Sequence, residues 1–80
     1  MKNLRVRFFA ILREEAGCGE TEVETAATTA AALYDELRAR HGFTLSAERL
    51  RVAVNGNLCG WQEPLPDAAE VVFIPPFAGG

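Results

Sequence analysis

The chain is short of what a catalyst, a metal protein or a membrane protein needs. Of its 80 residues two are cysteines, Cys18 and Cys59, far apart and outside any C-x-x-C pattern. That spacing argues against a zinc site and against a thioredoxin-like redox pair, and leaves two free thiols. The one histidine, His41, has no second titratable group near it in sequence, and reads as a surface residue at a helix end rather than a general base. No serine-histidine-acid set, glycine-rich phosphate loop or suggestively paired carboxylates can be found. No stretch approaches the roughly 20 apolar residues of a membrane span. Met1 to Arg5 runs into a strand pattern instead of a signal peptide, so a cytoplasmic protein is expected. Positive charge is also scarce: 8 basic against 11 acidic residues, interspersed, give a net charge of −3. No broad basic surface is left to track phosphates, which argues against nucleic acid as a partner. The expectation is a protein with no bound metal or cofactor and no active site of its own.

What is present is one small domain. A hydrophobic content of 49% in 80 residues is enough for a single modest core. Leu4, Val6 and Phe8 alternate with Arg5, Arg7 and Phe9, the period of a half-buried strand. Residues 11–16 predict a short helix with Ile11 and Leu12 inward, stopped by Gly17. Thr21, Val23 and Thr25 share one face of a second strand, with Glu20, Glu22 and Glu24 on the other. Thr28 or Thr29 caps a longer helix that buries Leu33, Tyr34 and Leu37, pairs Glu36 with Arg40 and ends near His41 at Gly42. Phe43, Leu45 and Leu50 are expected on the core. Val52 and Val54 flank Ala53 in a third strand, and Asn55-Gly56 offers a type I′ hairpin into a short return carrying or preceding Trp61, a ring expected to pack on the core. Val71, Val72, Phe73 and Ile74 form a continuous apolar run, as in a central strand. If the one long helix covers only one face of that run, the other lies bare, and a bare apolar face marks an interface. The order of elements predicts an α+β roll in which the last strand lies parallel to the first.

The end of the chain carries the functional signal. Residues 1–74 make the domain and residues 75–80, Pro75-Pro76-Phe77-Ala78-Gly79-Gly80, an extended C-terminal tail. The prolines fix their own φ and push preceding residues toward extended conformations, so the tail is aimed outward. Six residues at roughly 3.3 Å each reach roughly 20 Å, enough to enter a partner's active site. Without Cβ atoms, Gly79 and Gly80 can pass a channel too narrow for other residues. Phe77 is placed to anchor the tail in an apolar pocket.

From "VRFFAILREEAG" at Val6 to Gly17, through "VAVNG" at Val52 to Gly56, to "PLPDAAEVVFIPPFAGG" from Pro64, the chain resembles the small subunits of molybdopterin synthase, which are ubiquitin-like β-grasp sulfur carriers. The ending is the most specific part. One departure is Asp67-Ala68-Ala69, where the family usually has a glycine-bearing acidic turn. The resemblance implies a β-grasp roll with a mixed sheet of four to five strands, one main helix and one short helix. It implies that Gly80 is the reacting residue: an E1-like partner uses ATP and magnesium to adenylate its carboxyl, and a persulfide protein supplies sulfur to make a thiocarboxylate. That sulfur would then build the dithiolene of molybdopterin in the large, catalytic subunit, with which the relatives form a heterotetramer. Gly79, Ala78, Phe77, Pro76 and Pro75 would guide the tail, and Phe73, with one face of Val71 to Ile74, and Phe9 would contact the partner. A carrier serving thiamine or another thio-metabolite, and a ubiquitin-like modifier or plain interaction domain, are the alternatives.

Overall fold

β1 (Lys2–Phe8) sends Leu4, Val6 and Phe8 to one side of the sheet, where they are almost inaccessible, and Asn3, Arg5 and Arg7 to the other. The computed structural model describes residues 1–76. After β1 come α1 (Ala10–Ala16), β2 (Glu20–Thr25), α2 (Ala30–His41), a 3-10 turn at Ala47–Arg49, β3 (Arg51–Val54), β4 (Asn57–Cys59) and β5 (Glu70–Ile74). Among the described residues the five strands form one mixed sheet in the order β2-β1-β5-β3-β4. β5 runs parallel to β1, in register from Arg5 opposite Glu70 to Phe8 opposite Phe73, and antiparallel to β3. This is the β-grasp roll that the resemblance implies, with β5 as the central strand.

Local chemistry places each element. Thr29 Oγ1 accepts the Ala32 N–H at the start of α2, and Gly42, at φ 73°, closes its end by donating to Arg38 O. Ala30, Leu33, Tyr34 and Leu37 recur at helical spacing and are buried, and Glu36 meets Arg40 at 3.6 Å. Asn55 and Gly56 both have positive φ, as the tight hairpin between β3 and β4 requires. Asn55 also ties the hairpin to the sheet: its N–H donates to Glu70 O and its side-chain Oδ1 accepts the Glu70 N–H.

The core lies between α2 and one face of the sheet. Tyr34 packs on Phe43, Trp61 and Phe73, and Trp61 stacks on Phe73 with ring planes 10° apart. Tyr34 donates its hydroxyl to Leu45 O at 2.6 Å, and burial pushes its pKa up, with Arg38 opposing and Glu15 reinforcing the shift. His41 is half-buried, edge-on to Phe8 and stacked on Phe43. Leu12 is buried as expected, but Ile11 is exposed: a helix of two turns has one face to bury, and the adjacent residue points away from it.

The turn before β5 keeps a left-handed residue without a glycine. Ala68 sits at φ 61°, held there because its N–H donates to Asn3 O while Asp67 Oδ1 accepts the Asn3 N–H. A left-handed alanine costs about 1–2 kcal/mol, which these two bonds to β1 offset.

Candidate functional site

The site begins where β5 ends. Ile74 makes the last rung with Arg51. Pro75, which has no N–H to extend the ladder, follows it at the end of the sheet. Pro75 is buried and Pro76 exposed. Pro75 therefore fixes the root of the tail, as expected of its ring, while Pro76 stands open to solvent. Phe77, Ala78, Gly79 and Gly80 lie outside the described residues.

The face of the sheet turned away from α2 supplies a surface beside that root. The register sets one cross-strand row: Glu20 on β2, Arg7 on β1, Val72 on β5, Ala53 on β3 and Leu58 on β4. Toward the tail, Ile74 and Arg51 make the next outward pair. Phe9 follows β1 on the same face, turned out where the chain bends through Ala10 at φ 51°. Leu58 is 65% exposed and Phe9 42%, while Val72 and Ile74 are half-buried. These side chains form an apolar strip with charge at its margins, the composition of a protein-docking surface. Arg7 rests its guanidinium 5.9 Å from the Phe9 ring centroid.

The strip corrects one expected contact and adds another. Phe73 is wholly buried under Tyr34 and Trp61, because alternation along β5 turns Val71 and Phe73 inward and leaves Val72 and Ile74 outward. The docking face of the Val71 to Ile74 run is thus Val72 and Ile74. Leu58 was missed in the sequence; its signal was the alternation on the return of the hairpin, which puts Leu58 opposite in sense to Cys59.

Glu20 gathers two of the charges on this face. Glu20 reaches Arg5 at 3.4 Å and Arg7 at 3.7 Å. Burial, helped by nearby Glu63, raises the pKa of the Cys59 thiol and keeps it protonated, the opposite of what a sulfur nucleophile needs. Among the described residues, no three His, Cys, Asp or Glu side chains gather where they could hold a metal ion, and no helix is long and apolar enough to cross a membrane. What the described residues offer chemically is a surface and a rigid exit for the chain.

Known proteins share this sequence pattern and fold. The model of the ThiS family matches residues 6–80. The molybdopterin synthase sulfur carrier subunit of Escherichia coli (strain K12) is 39% identical over 80 residues, covering 96% of this chain and 99% of that protein. The structure of molybdopterin converting factor subunit 1 from Pyrococcus furiosus superposes with a TM-score of 0.81 at 29% identity, over 96% of this chain and all of that one. The complex of subunits 1 and 2 of molybdopterin-converting factor from Helicobacter pylori 26695 shares the fold, with a TM-score of 0.68 at 23% identity over 98% of this chain and 99% of that one.

Proposed function

The chain belongs to the ThiS family, and on that premise we propose that it is the sulfur carrier of a molybdopterin synthase, with Gly80 as the residue that carries the sulfur. The observation behind this reading is the 39% identity, over nearly the whole of both chains, to a molybdopterin synthase sulfur carrier subunit, with a family match that runs through residue 80.

The chemistry follows from the weakness of a carboxylate as an acyl donor. An E1-like partner would use ATP and magnesium to convert the Gly80 carboxyl to an acyl-adenylate, releasing pyrophosphate. The terminal sulfur of a donor persulfide attacks the carbonyl carbon and expels AMP. A thiol then cleaves the resulting acyl disulfide and leaves a thiocarboxylate. In the large subunit that sulfur attacks the cyclic pyranopterin precursor, and water hydrolyses the acyl group to restore the carboxylate. This chain's share is positioning. Pro75 anchors the root, Pro76 and Phe77 aim the tail, Ala78 and Gly79 keep it thin, and the strip of Phe9, Val72, Ile74 and Leu58 docks on the large subunit.

Deletion of Gly80, or addition of one residue after it, should abolish sulfur loading and leave the unfolding transition unchanged. Intact-mass measurement checks loading, as the mass gained when one oxygen is exchanged for one sulfur. Normal loading of either variant overturns the assignment of Gly80. Reconstitution with the large subunit and precursor names the pathway: a loaded carrier that yields no dithiolene product would serve another thio-metabolite, and conjugates to lysine would mark a modifier.

A further inference from the structure

The basic residues of this acidic chain are mostly engaged within it. Arg5 and Arg7 pair with Glu20, Arg40 pairs with Glu36, and Lys2 and Arg38 donate to the backbone carbonyls of Ala27 and Phe43. Arg13 on α1, Arg49 and Arg51 are exposed and make no ion pair among the described residues, and of these three Arg49 and Arg51 stand together. They flank buried Leu50 where the chain enters β3, and with Ile74, Pro75 and Pro76 they line an open groove of about 680 Å³ at the root of the tail. Among the described residues Glu48 is the one acid on its wall.

Position gives these charges a direction. The far edge of the same sheet carries Glu20, Glu22 and Glu24 on β2, three strands away from Arg51 on β3. A protein that takes in the tail must close over its root and come within reach of both guanidiniums. Two desolvated arginines facing a neutral or basic surface would be costly, whereas facing carboxylates they form charge-assisted, bidentate pairs. Docking in the reverse sense would bring the partner's acids toward the β2 glutamates, which also selects orientation.

We propose that the tail-root groove binds an acidic segment of the large subunit, with Arg49 and Arg51 meeting its carboxylates and steering the tail toward the entrance of the active site. This rests on the sulfur-carrier reading for the identity of the partner, and on the groove for the chemistry. Two arginines on a chain of net charge −3 are too few to track a polyanion, which leaves a carboxylate-bearing protein segment as the occupant.

The test is stopped-flow association of the full chain with the large subunit at low and physiological ionic strength. The double variant Arg49→Glu/Arg51→Glu should associate about tenfold or more slowly and lose most of its salt dependence. Arg49→Lys/Arg51→Lys keeps the charge and should stay within about threefold of the wild type, since steering depends on charge more than on geometry. Arg40→Glu changes net charge to the same extent per site but sits on α2, and should have little effect. Matching unfolding midpoints exclude misfolding as the cause. Equal slowing per charge by Arg40→Glu and by the groove reversals, or no slowing by the latter, overturns the groove while the carrier reading stands. A wild-type chain that does not bind the large subunit at all removes both.

Discussion

Toward α2, Leu4, Val6 and Phe8 of β1 meet Val71 and Phe73 of β5 and are closed to water, whereas one residue along the same two strands lie Arg5, Arg7, Val72 and Ile74, which water reaches. The backbone and its hydrogen bonds are common to both faces; only the side-chain sense differs. The covered face is aromatic and interlocked, with Phe8, Phe43, Tyr34, Trp61 and Phe73 in mutual contact. The open face is aliphatic and charged, and its largest rings and branches, Phe9 and Leu58, have no covering layer. Such a division separates stability from association: the same β5 that ties the core together presents, in alternate residues, the surface beside the tail.

The sharpest way to break this contrast is to exchange large for small on each face. Phe73→Ala should cost about 3–5 kcal/mol by cavity formation. That is a large part of the roughly 4–12 kcal/mol expected for a domain of this size, and it should appear as a lower denaturant midpoint. A loss under about 1 kcal/mol would show that the covered face is not the main source of stability. Leu58→Asp, or Phe9→Ser, should move the unfolding free energy by no more than about 0.5 kcal/mol. Titration calorimetry against the large subunit should show affinity lowered about tenfold or more. Destabilisation comparable to that of Phe73→Ala would erase the distinction.

Two smaller effects sharpen it. Ala68→Gly relieves a left-handed alanine in the turn that launches β5 without touching either face, and should raise stability by about 0.5–1 kcal/mol, measured by thermal or denaturant unfolding. On β4 the alternation continues: Leu58 is open to solvent, while Cys59 leans toward the core beside Val52. Its raised pKa means that less thiolate is present at any given pH than for a free thiol. Alkylation of Cys59 should therefore lag, with its midpoint above the ordinary 9.0, and a midpoint at or below that value would contradict its placement.

Much of the fold was legible because its signals are local. Thr29, Gly42 and Asn55-Gly56 act through backbone groups a few residues away, and the spacing of Leu33, Tyr34 and Leu37 declares a buried stripe without reference to any other element. The place of the last strand beside the first could also be reasoned, from the order of the elements, and its central position from an apolar run too continuous for an edge. The surface was harder. Phe73 and Val72 are equally apolar, and only the packing of α2, Tyr34 and Trp61 decides which of them is covered. Ile11 and Leu12 are ambiguous for the same reason. Ala68 gave no sign of a left-handed turn, because what holds it there is a pair of bonds to Asn3, far away in sequence.

The order of residues alone determined which strands and helices form and in what order, where the main helix and the β3–β4 hairpin are capped, and that a proline-led, glycine-ended segment follows the last strand, since these depend on dihedral preference and near neighbours. The tertiary structure alone decided which side of β5 is core and which is surface, that Pro75 is an anchor, and that Arg49 and Arg51 beside the tail root make no ion pair among the described residues. Those outcomes depend on which distant side chains arrive to cover or neutralise a residue, and no local preference encodes that.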